Sequence, residues 1–408
     1  MKTLATLIFI LALTFSLNAQ GQEFDSTGIS REKLIYYLKR AVTMAEFLAV
    51  DPYANDGPYP YKKDDLRLIN NIGAKFIGRA IYRWGKEAEL ANPDFIKQAA
   101  SLIKEVHRKD PEVIFQAAVF ECITPQVNQI EVPEWAFQAI NQPVKKRSFR
   151  YNDMLNVRGK MVNHWGNNSA VPDITRPEAQ LWLMYLCGTY MNLGCEALHL
   201  GQISLMGMED PELRVWNTFI QKVRNYARYH TAHKWVLLDA HTPKGGMIVD
   251  GVSLLDFNSF PLRIKEIPER PMEGMLQVGY LDAIFQRSMA CKTPSGWDCT
   301  RLPYLVEFDN FGISDKPGVA NTSSHFIWGY DEITWFYLLP EKKRNEWLKY
   351  SAHWVAANDL IGWLQMPVSR IITPGNGSSS NRYRANSRSK ECPVGLNVEE
   401  TIKKIWGR

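Results

Sequence analysis

Cysteine is scarce, six residues in 408, and none stands in Cys-x-x-Cys spacing, which excludes a disulfide scaffold and a clustered thiolate metal centre. Cys291 and Cys299 bracket a turn-rich Lys-Thr-Pro-Ser-Gly-Trp-Asp, leaving a bridge and two thiols both open. Charge of one sign is also lacking. Lys plus Arg number 48 against 43 Asp plus Glu, a net +5 spread along the chain, so no nucleic-acid partner is expected. Long apolar runs are missing after residues 4–17, and no later stretch reaches the roughly 18 residues that a membrane span needs. No Gly-x-Gly-x-x-Gly follows an early strand, and there is no P-loop, Gly-x-Ser-x-Gly or His-Glu-x-x-His, so no nucleotide or nicotinamide cofactor is expected.

What is present begins with Lys2, the apolar run 4–17, Asn18 and Ala19, which reads as a signal peptide cleaved near Ala19. The expectation is an exported protein, periplasmic or extracellular, with 20–408 forming one domain without a membrane span. At 45% hydrophobic and 22% charged residues the chain can bury a substantial core.

Ser30 opens a helical pattern through Leu34, Leu38, Ala41, Val42, Ala45 and Leu48. Beyond it, short apolar runs alternate with amphipathic stretches. Strands are expected at 76–82, 113–120, 197–202, 235–239, 254–258, 304–309, 326–330 and 363–366. Helices are marked by Asn92-Pro93, Asp210-Pro211, the stretch 175–193 stopped by Gly194, and 341–358. Eight strands with helical crossovers predict an α/β fold of the (β/α)8 TIM-barrel type, with a doubly wound open sheet as the alternative. Two long connections, 121–175 and 259–303, follow strand ends and are expected to lie over the carboxyl-terminal mouth.

In such a fold the reacting groups project from the carboxyl ends of the strands. The first expected strand delivers Arg79, Arg83 and Trp84, the second Glu121, the third His199 and Gln202, and the fourth Asp239 followed by His241. Glu307, Asp309 and Asn310 end the sixth, while Trp328 and Asp331-Glu332 accompany the seventh. Glu307 and Asp309 are two apart and share a face, where burial beneath helices would be costly. Each also has a structural reading. Glu307 or Asp309 can pair with Arg79 or Arg83, Asp239 can cap the Thr-Pro turn, and Asp331 or Glu332 can cap a helix.

Glycosidic cleavage needs a proton donor for the leaving oxygen and a second carboxylate as nucleophile or base. Asp239, Glu307 and Asp309 are the expected catalytic set, with the other named residues as substrate contacts. The aromatic load of 13 Trp, 17 Tyr and 18 Phe suits stacking on sugar faces. Two further readings stand beside this one: a metal-dependent barrel hydrolase or isomerase using His199, Asp239, His241 and Glu307, and a non-catalytic glycan-binding barrel.

The segments Glu-Ala-Leu-His-Leu-Gly-Gln (196–202), Leu-Leu-Asp-Ala-His (237–241), Val-Glu-Phe-Asp-Asn (306–310) and Trp-Gly-Tyr-Asp-Glu (328–332) carry a resemblance. The chain resembles secreted bacterial glycoside hydrolase-like (β/α)8 proteins found with polysaccharide-degrading systems. That resemblance implies a carbohydrate substrate and a carboxylate pair of Asp239 with Glu307 or Asp309. The Asn-Glu pair common at the end of a fourth strand in such enzymes is replaced here by Asp239-Ala240.

Overall fold

The computed structural model describes residues 28–49, 61–242, 244–283, 285–373 and 381–407. The expected signal peptide and most of the Gly- and Ser-rich segment near 374–380 lie outside them. The described chain is a mixed α/β structure built on a parallel sheet.

Ten strands organise it. They are β1 (Ala41–Met44), β2 (Phe76–Ile81), β3 (Ile114–Ala118), β4 (Ala197–His199), β5 (Leu237–Asp239), β6 (Asn258–Pro261), β7 (Tyr304–Glu307), β8 (Gly362–Leu364), β9 (Met366–Ile372) and β10 (Asn381–Arg384). Parallel ladders join β9 to β1 and then β1 through β5 in order. A second parallel set runs β6, β7, β8. Two links join the sets. The bridge His241↔Ser259 connects the end of β5 to β6, and Gln365 sits between β8 and β9. Gln365 donates its N–H to Val306 of β7 and its side-chain amide to Val42 of β1. β10 pairs antiparallel with β9.

The helices that cover these strands are α1 (Arg31–Leu38), α2 (Lys62–Ile72), α3 (Pro93–His107), α4 (Pro177–Leu193), α5 (Arg214–His230), α6 (Glu332–Leu338), α7 (Glu341–Asn358) and α8 (Glu399–Ile405). Their ends follow the sequence chemistry. Asn92 accepts from the Asp94 N–H ahead of Pro93, and Gly194 stops α4 at φ +116°. Asp210 does not cap α5 directly. The helix starts at Arg214, with Asp210 accepting from the Trp216 N–H.

One buried cluster shows how the strands are arranged. Ala41, Phe76, Ile114, Ala197, Leu237 and Leu305, each at or near the start of its strand, pack with Phe257 against Leu34, Tyr37 and Leu38 of α1. Phe76 on β2 meets Phe257 ahead of β6 edge-on at 5.9 Å. The amino ends of the strands therefore enclose an apolar layer that α1 covers, while the larger core fills the space between strands and outer helices.

Several expectations are corrected. The helix beginning after Ser30 ends at Leu38, and Ala41–Met44 is a strand, fully buried. A continuous apolar run meets the helical and the buried-strand patterns equally, and burial on both faces decided for the strand. Residues 326–330 form no strand. Trp328 and Gly329 both take positive φ, +51° and +76°, and the segment is a turn held by isolated bridges. The expected 254–258 strand is displaced to Asn258–Pro261, and 363–366 extends through Met366–Ile372. Because Ala41–Met44 is a strand, the first six expected runs stand one place later among the strands, as β2 to β7. No helix occupies the connections β5–β6 or β6–β7 among the described residues, where short antiparallel pairs stand instead. In one of these Cys291 and Cys299 lie directly opposite as thiols, Sγ to Sγ 3.5 Å. No described helix is long and apolar enough to cross a membrane.

Candidate active site

Local geometry turns the carboxyl ends of the strands into a polar cluster. Register places His199, the last residue of β4, beside Asp239, the last of β5. Between Ile77 and Ile81 the pairing of β2 with β3 shifts, and Arg79 there adopts φ +54°, its N–H held by the Gln116 side chain at 3.0 Å. Such a bulge re-aims a side chain. Gly78 makes room for it, since a Cβ there would collide with the Gln365 amide.

Glu307 is the centre of this cluster. One oxygen meets the Arg79 guanidinium, and the other accepts from Arg370 at 2.5 Å and Thr43 at 3.3 Å. His241 Nε2 approaches it at 3.5 Å. Burial alone would raise this carboxyl, but Arg79, Arg370 and His241 hold it well below the usual carboxylate range. Asp309 keeps more freedom. Its side chain is 13% exposed, and its nearest cation is Arg370 at 3.6 Å. Burial is again outweighed, here by His241, Arg79 and Arg263, so Asp309 is ionised.

Asp239 has a different environment. It is buried, takes a hydrogen bond from Gln116 Nε2 at 2.5 Å, and lies 2.7 Å from His199 Nδ1. Burial pushes its pKa up to about 8 against the opposing Arg79 and His241 charges. Burial, followed by Arg79 and His241, moves His199 well below the ordinary imidazole value.

Above the cluster opens a cavity of about 600 Å³. Asp309, Glu121, His199 and His241 line it together with Arg79, Arg370, Gln202 and Asn310. Tyr82, Trp84, Phe120, Trp165 and Phe311 supply its aromatic lining. Trp84 stands edge-on to Phe120 at 5.5 Å and to Trp165 at 5.0 Å, and Trp165 Nε1 donates to the Glu121 carbonyl at 2.9 Å. Glu121 itself accepts from the N–H and side-chain amide of Gln202, at 2.9 and 3.0 Å. A second cavity, about 410 Å³ beside Trp235 and α5, contains none of the residues expected to be functional.

The structure thus divides the expected set. Arg79, Trp84, Glu121, His199, Gln202, His241, Asp309 and Asn310 line the cavity, whereas Asp239 and Glu307 lie beneath it. Arg83 is turned away into a contact with Glu89 at 2.7 Å and a stack on Phe95. Trp328 bonds the Glu273 carbonyl at 2.7 Å, Asp331 caps α6 through the Thr334 N–H at 2.8 Å, and Glu332 pairs with Arg263 at 2.8 Å. None of these four lines the cavity, and strand 326–330, which was to aim Trp328, Asp331 and Glu332, does not form. Of the two long connections, 121–175 reaches the cavity through Glu121 and Trp165, while the described residues of 259–303 supply none of its lining. Its place is taken by the turn region carrying Asn310, Phe311 and Gly312.

Gln116, Arg370, Tyr82, Trp165, Phe311 and Thr373 were not anticipated as site residues. Arg370 was findable, because Val-Ser-Arg-Ile-Ile continues the strand begun at 363 with the alternation intact. Among the described residues no three His, Cys, Asp or Glu side chains are grouped to hold a metal ion, and the set His199, Asp239, His241 and Glu307 is spent on mutual hydrogen bonds and arginine pairs.

No family model matches the chain, and no curated protein matches it. Similar solved structures include a debranching enzyme of Nostoc punctiforme, at 12% identity over 55% of this chain and 52% of that one, TM-score 0.33. The chain therefore spans about half the length of that enzyme. The cyclic α-maltosyl-(1→6)-maltose hydrolase of Arthrobacter globiformis is similar at 11% identity over 91% of this chain and 82% of that one, TM-score 0.47. An α-galactosidase of Thermus thermophilus follows at 14% identity, 57% and 44% coverage and TM-score 0.33. These neighbours are glycoside hydrolases.

Proposed function

We propose that this protein is an exported glycoside hydrolase that cleaves a glycosidic bond in an oligosaccharide or polysaccharide, built on a (β/α)8 barrel whose helical layer is interrupted after β5 and β6. The observation that carries this reading is the cavity at the strand ends, where the ionised Asp309 shares the lining with five aromatic rings. Rings of that kind stack on the apolar faces of sugars, and the interleaved Glu121, Gln202 and Asn310 can hydrogen-bond hydroxyls. The chemistry requires one carboxylate that stays charged and a separate group that carries a proton. Asp309 fits the first role. Glu307, locked between two arginines, fixes Arg79 and Arg370 around it.

The test incubates the protein with a panel of oligosaccharides and polysaccharides and reads released sugars by chromatography, with and without chelator. Product that persists in chelator and disappears in Asp309→Asn supports the proposal. Product lost on chelation transfers the assignment to metal chemistry, and tight glycan binding without product to a binding protein.

A further inference from the structure

We propose that Asp239 and His199 act as a single proton carrier, with His199 Nε2 the atom that passes the proton into the cavity; this rests on the reading of the site as a glycosidase. Three observations place it there. His199 lines the cavity and Asp239 does not, the two side chains meet at 2.7 Å through Nδ1, and Nε2 has no hydrogen-bond partner although His199 is 1% exposed. An unpartnered nitrogen at a buried cavity wall is costly unless it has work to do there.

The surroundings decide which forms the pair adopts. Arg79 on β2, His241 after β5, and Glu307 and Asp309 at the end of β7 all act electrostatically on His199 or Asp239, and Gln116 on β3 donates to the far oxygen of Asp239. The His241 ring stands 5.1 Å away and the Phe120 ring 6.0 Å. Burial and Arg79 disfavour an imidazolium, and burial favours a proton on Asp239 up to about pH 8. Below that pH the Asp239 hydroxyl donates to Nδ1, which leaves the proton of the neutral ring on Nε2. Above it the carboxylate accepts from Nδ1–H, and Nε2 is a bare lone pair.

Proton transfer then balances. As the glycosidic C–O bond breaks, Nε2–H gives its proton to the leaving oxygen while the Asp239 proton moves to Nδ1. When water attacks, Nε2 takes its proton and Nδ1–H returns its own to Asp239. Asp239 is a positioning residue that sets the tautomer, and the carrier's acidity lies near the working pH, where general acids are most effective.

The experiment is a pH titration of the full chain labelled with 15N-histidine, reading imidazole nitrogens by NMR and using His199→Gln to assign the signal. His199 is expected to remain neutral from about pH 6.5 to 10 and to change from the Nε2–H to the Nδ1–H tautomer near pH 8. In Asp239→Asn the Asn oxygen accepts from Gln116 and its amide faces Nδ1, so the Nε2–H form should persist at every pH. Gln116→Leu, a second variant in case the first fails to fold, should move the change to higher pH. An imidazolium signal in this range, or the same tautomer change in Asp239→Asn, overturns the carrier. On any substrate the panel identifies, His199→Gln should lower kcat at least 100-fold, and wild-type kcat should fall above about pH 8. A tautomer change without any glycoside cleavage upholds the carrier and removes the carbohydrate reading.

Discussion

Glu307 ends β7 and Asp309 stands two residues beyond it, yet their neighbours give them different work. Replacing Glu307 by Gln leaves Arg79 and Arg370 buried without their shared counter-charge. Breaking a buried pair from one side costs about 3–5 kcal/mol, so Glu307→Gln should lose stability of that order in a urea titration. Asp309→Asn is different: Arg370 approaches only to 3.6 Å, and an amide oxygen can still accept from the Asn310 N–H as the carboxylate does at 2.8 Å, so it should melt close to wild type. On a substrate identified by the panel its kcat should nevertheless fall by about a thousandfold, as expected for loss of a group that acts in the transition state. Both carboxylates were legible from Val-Glu-Phe-Asp-Asn and the two-residue period. Which of them faces the cavity was not, because that depends on arginines brought in from β2 and β9.

Among the elements, the seam between β5 and β6 carries no continuous ladder. A single bridge crosses it, and Asp256 supplies what a ladder would: its carboxylate accepts from the Leu238 N–H at 2.8 Å and from Arg224 of α5 at 2.9 Å. Asp256→Ala strands the buried Leu238 N–H and removes the counter-charge of Arg224, which keeps only the Val236 and Leu254 carbonyls. We expect a loss of about 3 kcal/mol or more and faster hydrogen exchange at Leu238 than at β2 or β3, read by mass spectrometry. The bulge in β2 is equally specific. Gly78→Ala should push the Gln365 amide away from Val42, lowering the melting temperature and, through Arg79, activity. A seam and a bulge leave little trace in local sequence. Asp256 reads as a polar interruption of an apolar run, and Gly78 as a weak strand residue.

For the whole molecule, the buried Asp239 and His199 pair links stability to pH. The native pair holds one titratable proton up to about pH 8, on Asp239. In the unfolded chain the Asp has lost its proton above about 3.8, and the His holds one up to about 6.5. From about pH 6.5 to 8 the native state binds one more proton than the unfolded state, so stability falls as pH rises, by at most about 1.4 kcal/mol per pH unit. In Asp239→Asn that slope should vanish, and melting curves of the two proteins across pH 6–9 give the comparison. Glu307 acts oppositely: its depressed pKa contributes stability above the unfolded value near 4.5 that is lost as pH falls.

The sequence by itself determined most of the strands and helices, the capped start of α3, the stop at Gly194, and the clustering of acidic and aromatic residues at strand ends, since each follows from local periodicity, turn chemistry or residue type. Only the tertiary structure decided that 41–44 is a strand covered by α1, that 326–330 is a turn, and that Asp239 and Glu307 lie below the cavity while Asp309 and His199 line it. Those outcomes depend on which side chains arrive from distant strands, and neither burial on both faces nor the arrival of Arg79 and Arg370 beside one carboxylate is encoded within any single segment.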